Sequence, residues 1–203
     1  MAYNRKDFFF HKAKERNFAA RSVFKLEEID QKLRFIKPGA TILDLGCAPG
    51  SWAQYCVIKV GPKGFVLGID LQAVKLGFPN ARFVQGDIRD VDFDALLAEC
   101  GRSAPVDAVL SDMAPRTSGI READQARSLE LCELALSVAD RYLRPGGAFV
   151  CKLFHSGDFE AFRATLRSRF DRVEVVRPKS TRRESKEIFL AGLGRKRDGG
   201  AAR

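Results

Sequence analysis

At 203 residues, with 45% hydrophobic and 10% aromatic content, the chain is long enough for one domain with a full core and too apolar for intrinsic disorder. The net charge of +9 sits at the ends: residues 1–25 carry seven Lys and Arg against two acids, residues 177–203 carry nine against three, and the stretch between is net −2. A near-neutral body with basic ends suits a catalytic domain that meets a polyanion through its termini, although a solubilising surface gives the same count.

In chain order, residues 1–24 form a basic extension whose run Phe8-Phe9-Phe10 suits base stacking or burial and is ended by His11 and Lys12, far short of a signal-peptide core. Val23, Leu26, Ile29 and Leu33 recur at helical spacing and predict a helix over 19–33, stopped by Lys37-Pro38-Gly39. The segment Thr41 to Trp52, TILDLGCAPGSW, is the most informative. Ile42, Leu43 and Leu45 suit a buried parallel strand, while Gly46, Ala48, Pro49 and Gly50 leave room for a ligand to approach the backbone. Asp44 inside that strand needs backbone or ligand hydrogen bonds, because an unpartnered buried carboxylate costs several kcal/mol. Ser51 opens the next helix, over 51–60, with Trp52 as a candidate packing partner for the ligand. Neither GxGxxG nor GxxxxGK[ST] is present, which disfavours a pyrophosphate or triphosphate ligand.

Further strands are predicted at 65–69, 82–85, 106–111, 147–154, 173–177 and 187–193, and helices at 124–142 and 158–169. The alternation predicts an α/β, doubly wound, mainly parallel seven-stranded sheet with helices on both faces. It forms a single domain over 1–203, with a core at 25–194 between the basic extension 1–24 and a basic tail at 195–203. In such sheets ligands gather at the carboxyl ends of the strands. Asp70, about twenty residues after Gly50, is placed for ribose hydroxyls and Asp87 for an adenine amino group. Leu71 and Ile88 complete this candidate set, although a strand-end aspartate often only caps the next helix. Asp112 in VLSDMAP ends another strand, and Lys152 interrupts the apolar strand AFVCKLF, where an ammonium needs a purpose or a route to water. Five scattered cysteines with no CxxC pair suggest neither disulfides nor a zinc site, and no run approaches the roughly twenty apolar residues of a membrane span. A cytoplasmic protein with reduced thiols, no metal and no membrane attachment is expected.

LDLGCAPGSW, LGIDL, QGDIRD, LSDMAP, FVCKLF and SKEIFL, in that order and preceded by RSVFKLEEID, resemble the FtsJ-type methyltransferase E family of large-subunit ribosomal RNA 2′-O-ribose methyltransferases. The likeness runs from about residue 12 to residue 195. It implies a Rossmann-like class I fold, S-adenosylmethionine as cofactor, and a catalytic Lys-Asp-Lys-Glu tetrad at Lys25, Asp112, Lys152 and Glu187. It further implies a uridine ribose of 23S RNA in the large subunit as substrate, with no obligate protein partner and a monomeric enzyme. Cys47 and Ser51 stand where alanine and glycine are usual, and Arg116 where asparagine is often seen.

The tetrad suits methylation of a hydroxyl, which needs in-line alignment of two substrates and removal of a proton. A second cation and desolvation favour a neutral lysine, neighbouring carboxylates oppose it, and the sequence leaves base and orienter both open for Lys152. Taken alone, Lys25 has a local alternative in pairing with Glu28 three residues on, and Glu187 in being a polar strand start. Arg16, Arg21, Lys179, Arg182 and Arg183 are the candidate RNA contacts, because the turn RPKSTRRESK leads into the strand bearing Glu187. Two other functions compete: 2′-O-methylation of transfer RNA, and a non-enzymatic RNA-binding role in ribosome assembly.

Overall fold

The computed structural model describes residues 5–182 and 185–197. Seven strands form one sheet: β1 (Thr41–Leu45), β2 (Phe65–Asp70), β3 (Ala81–Gln85), β4 (Val106–Ser111), β5 (Leu143–Phe154), β6 (Phe170–Val176) and β7 (Glu187–Arg195). Their order is β3-β2-β1-β4-β5-β7-β6, parallel from β3 through β5, with β7 antiparallel to both β5 and β6. The chain starts at β1, winds outward to β3 and then returns to β4 beside β1. That reversal opens a crevice at the carboxyl ends of β1 and β4.

Helices α1 (Arg5–Glu15), α2 (Val23–Leu33) and α3 (Ser51–Val60) cover one face, and α4 (Phe93–Glu99), α5 (Arg121–Tyr142) and α6 (Phe159–Arg169) the other. The strands divide their side chains between two cores with period two. Ile42, Val66, Leu110, Val150 and Phe189 pack with α2 and α3, while Leu43, Leu67, Val109, Cys151 and Leu190 pack with α4, α5 and α6. Burial on both faces explains why these strands are continuous apolar runs rather than alternating ones.

The predicted strands are all present, with shifted ends. β5 begins at Leu143, ahead of the expected 147, because Val106 pairs with Leu143 across a register irregularity. The helix expected from residue 19 begins at Val23, since Asn17 takes a positive φ of 56° and the chain turns before Ser22. The basic extension contains a helix that no apolar stripe announces. Among the described side chains of α1 only Phe9 and Ala13, four residues apart, face the core, where Phe9 lies 5.4 Å from Phe24. Phe8 and Phe10 are exposed. Asp92, accepting from the Ala95 N–H at 3.0 Å, caps the short α4, and Phe93 and Leu97 bury its inner side.

Candidate active site

The period of the strands decides which side chains meet. Asp44 on β1, Asp112 just past β4, Lys152 on β5 and Glu187 on β7 share the phase of Ile42, Leu110, Val150 and Phe189, so all four lie toward α2 and α3. Ser111 pairs with Cys151, which sets Asp112 beside Lys152. Because β7 runs antiparallel, its first residue lies opposite Phe154, the last of β5. A parallel β7 would put Glu187 at the far edge. Lys25, in the first turn of α2, reaches the same place.

Two ion pairs result. Lys25 Nζ lies 2.5 Å from Glu187 Oε1 and 5.9 Å from the centre of the Phe189 ring. Lys152 Nζ donates to the Asp112 carbonyl oxygen at 2.6 Å and stands 2.8 Å from Asp112 Oδ1, an ionic contact beside the aligned hydrogen bond. Lys152 and Glu187 are buried, at 7% and 9% exposure, so these pairs are held with little freedom. Glu28 does not pair with Lys25. Its carboxylate accepts the backbone N–H groups of Lys179 and Ser180 at 2.6 and 2.9 Å, pinning the basic turn to α2.

The β1–β3 edge differs in character. Asp44 is fully buried, and neither carboxylate oxygen has a well-formed hydrogen bond among the described residues, the Ala53 N–H giving only a weak interaction. Burial first, then the neighbouring Asp112 and Asp70 carboxylates, push its pKa up to about 8, and the Ala53 N–H offsets little of this. Asp70 accepts from Ala48 N–H at 2.9 Å and Gln72 N–H at 2.8 Å, fixing the loop after β1. Asp87 pairs with Arg89 at 2.9 Å. Leu71 is exposed and Ile88 nearly buried. Gly46 and Gly50 have φ of 75° and 106°; a Cβ on either would come within 2.5 Å of Met113 or Leu76, so these glycines admit neighbouring loops as well as any ligand. α3 begins directly after Gly50 without a side-chain cap, leaving its first N–H groups for another acceptor.

Trp52 departs from the expected ligand-packing role. Its ring is buried against Phe189 at 5.7 Å between centroids, and its indole N–H donates to the Ser22 carbonyl at 2.9 Å. Its backbone N–H lies in the uncapped first turn of α3, directly after the loop. The Ser51 hydroxyl is likewise engaged, 2.7 Å from the Ser22 hydroxyl. Ser22 thus ties the start of α3, just after the β1 loop, to the helix carrying Lys25, a link of 29 residues that no local pattern signals.

The two basic ends meet beside the tetrad. Arg21 donates to the Ser180 carbonyl at 2.8 Å, and a cleft of about 360 Å³ is lined by Arg21, Ser22, Lys25, Arg182, Ser185 and Glu187. Arg16 is not directed at this cleft; it pairs with Glu27 at 2.8 Å. Lys179 is held by its backbone, and Arg183 lies outside the described residues. All five cysteines are free, and no three His, Cys, Asp or Glu among the described residues form a metal-binding group. Among those residues no helix is long and apolar enough to cross a membrane.

Residues 18–195 match the model of the FtsJ-like methyltransferase family. The chain is 57% identical over 196 residues to the ribosomal RNA large subunit methyltransferase E of Bdellovibrio bacteriovorus, covering 97% of this chain and all of that one. It is 50% identical to the protein of the same name from Sorangium cellulosum, covering 97% and 92%. A crystal structure of a Plasmodium falciparum protein assigned as a ribosomal RNA methyltransferase superposes with a TM-score of 0.77 at 30% identity, covering 88% of this chain and 98% of that one.

Proposed function

The chain belongs to the FtsJ-like methyltransferase family, and from that premise we propose that it transfers a methyl group from S-adenosylmethionine to a ribose 2′-hydroxyl, that of a uridine, in large-subunit ribosomal RNA. The observation that carries this reading is the meeting of Lys25, Asp112, Lys152 and Glu187 as two ion pairs on one face of the sheet. The methyltransferase E relatives support the choice of RNA.

The residues at the β1–β3 edge fit the cofactor. An orphaned, buried Asp44 calls for a cation or a donor, which the ammonium group of S-adenosylmethionine would supply. Asp70 would take ribose hydroxyls, Asp87 and Ile88 the adenine, with Leu71 beside them; the N–H groups of Ser51 and Trp52 would receive the carboxylate, and Gly46 and Gly50 keep the loop close. Asp112 borders both substrates. When bound, S-adenosylmethionine supplies a methyl group on a positively charged sulfur, open to in-line attack by the 2′-oxygen. Lys152, whose Nζ is fixed by Asp112, orients the 2′-hydroxyl, and in its neutral amine form it would take the hydroxyl proton and become the ammonium that Asp112 balances. Lys25 and Glu187 hold the ribose from the α2 side. Arg21, Arg182 and Arg183 bind the RNA phosphates, with Lys179 and Arg16 contributing charge at longer range. We further infer that the enzyme acts as a monomer in the cytoplasm.

The test is incubation with labelled S-adenosylmethionine and large subunits from cells lacking this methyltransferase, followed by mapping of the modified nucleotide. Label at one ribose of the large-subunit RNA is expected. Label only in transfer RNA would replace the substrate, and no label in any RNA would leave the assembly-factor reading.

A further inference from the structure

A second cleft, of about 320 Å³, adjoins the first at the start of β7. Ser185 lines both. Lys186 lines the second and Glu187 the first, as consecutive side chains on an extended segment diverge. The remaining walls of the second cleft are Gly119 just ahead of α5, Arg121, Asp124 and Gln125 at its start, and Phe154 at the end of β5. Nothing in the tetrad or the cofactor edge uses these residues.

The chemistry of this cleft is that of a nucleotide site. Arg121 and Lys186 are exposed cations with no ion pair among the described residues. Phe154, half-buried at the end of β5, adds an aromatic residue to the same lining. The one acid in the lining, Asp124, is turned away. It accepts from Ser118 N–H at 2.7 Å, the Ser118 hydroxyl at 2.9 Å and Gly119 N–H at 3.2 Å, and these bonds hold its carboxyl below the usual range. Those bonds also brace the loop between Asp112 and α5, so the cleft has a fixed floor. Gln125 is fixed too, donating to the His155 carbonyl at 2.6 Å. A strand whose ribose lies over Lys152 and Glu187 must extend both ways from that point. The cleft at Arg21 and Arg182 receives one direction and leaves the other without a path.

We propose that the cleft of Arg121, Phe154 and Lys186 is a subsite for a nucleotide flanking the methylated one, its phosphate held by the two cations and its base stacked on Phe154. This inference rests on the RNA-methyltransfer reading above. It predicts two separable energetic signatures, because phosphate contacts release counterions and stacking does not.

Binding of the full chain to large subunits lacking the modification would be measured between about 50 and 200 mM salt. Arg121→Ala with Lys186→Ala should weaken binding about tenfold and reduce the magnitude of the logarithmic salt slope by about 1 to 2. Phe154→Leu should weaken it by about fivefold or more with the slope unchanged. Lys37→Ala with Lys63→Ala removes the same charge at the opposite edge, ahead of β1 and β2, and should change affinity much less. Wild-type affinity for S-adenosylmethionine in each variant shows an intact fold, and Arg121→Gln with Lys186→Gln serves where the alanine pair fails that check. Equal effects of the two double variants, or no effect of Phe154→Leu, would overturn the subsite while the function stands. A wild-type chain that neither binds nor methylates the subunit would overturn the function, and the subsite with it.

Discussion

The two halves of the carboxyl edge hold their charge in opposite ways. Along β1–β3, among the described residues, Asp44 has no well-formed hydrogen bond, Asp70 is met by backbone N–H groups, and Asp87 by its near neighbour Arg89. Along β4, β5 and β7, each carboxylate faces a lysine brought from elsewhere in the chain, Asp112 with Lys152 and Glu187 with Lys25. A buried unpaired acid is stabilised by whatever cation or donor arrives, so the first half gains its electrostatic balance on binding. The second half is balanced in advance, and its lysines are aimed before the substrate enters, as preorganised catalysis requires. On the proposed function, one edge of one sheet therefore separates binding from chemistry.

The sharpest way to break this division is Lys152→Ala. Loss of the group that orients the hydroxyl should lower the methyl-transfer rate by about 10²- to 10⁴-fold. S-adenosylmethionine affinity, measured by calorimetry, should stay near wild type. A large loss of affinity instead would merge the two halves. The reciprocal variant, Asp70→Ala, should weaken S-adenosylmethionine binding by about 10- to 100-fold, the worth of hydrogen bonds to a charged acceptor. At saturating cofactor its rate should recover most of the wild-type value. Unchanged affinity would remove Asp70 from the cofactor set.

The binding half was the more legible in sequence. Its residues are local: a strand, a small-residue loop and a helix start follow one another in TILDLGCAPGSW, and Asp70 and Asp87 each close a strand. Lys152 and Asp112 stood out as polar residues at buried strand positions. Lys25 and Glu187 did not, since a lysine on a helix flank and a glutamate at a strand start have ordinary local explanations. Their pairing depends on β7 running antiparallel, which only the sheet as a whole reveals. The same limit hid α1, whose described side chains meet the core through Phe9 and Ala13, and Glu28, whose partners lie 151 and 152 positions away. Trp52 misled in the other direction. An aromatic residue beside a ligand loop invites the thought of a ligand contact, yet a helix's first turn presents its backbone to the ligand and turns large side chains toward the core.

Asp44 sharpens the comparison through pH. With a folded-state pKa of about 8 against an unfolded value of about 3.9, the ligand-free protein holds a proton over that interval that the unfolded chain lacks. The contribution of Asp44 to stability therefore falls as pH rises from about 4 to about 8. Asparagine has no proton to lose. Asp44→Asn should leave the melting temperature of the ligand-free protein nearly unchanged at the acid end and raise it by on the order of 10 °C at pH 8, each pKa unit being worth about 1.4 kcal/mol and each kcal/mol about 2–4 °C in a chain of this size. S-adenosylmethionine binding should weaken in the same variant. Parallel Tm curves for the two proteins across that range would mean that Asp44 is partnered after all.

The smallest effect tests the joint between the halves. Trp52 belongs to the cofactor segment by sequence, but its side chain reaches the other half: the indole N–H bonds the Ser22 carbonyl, three residues before Lys25, and the ring packs on Phe189, over which the Lys25 ammonium lies. Trp52→Phe keeps an aromatic ring on Phe189 and removes the hydrogen bond. It should cost about 1 kcal/mol, a fall in Tm of about 2–4 °C. Cofactor affinity should change by less than about twofold, under about 0.5 kcal/mol, because the backbone N–H is untouched. The rate at saturation should drop more than the affinity does, since a less firmly seated start of α2 lets Lys25 drift from Glu187. If affinity falls while the rate at saturation holds, the indole belongs to the cofactor pocket. The two halves would then be joined by some other contact, with the Ser22–Ser51 hydroxyl pair as the next one to remove.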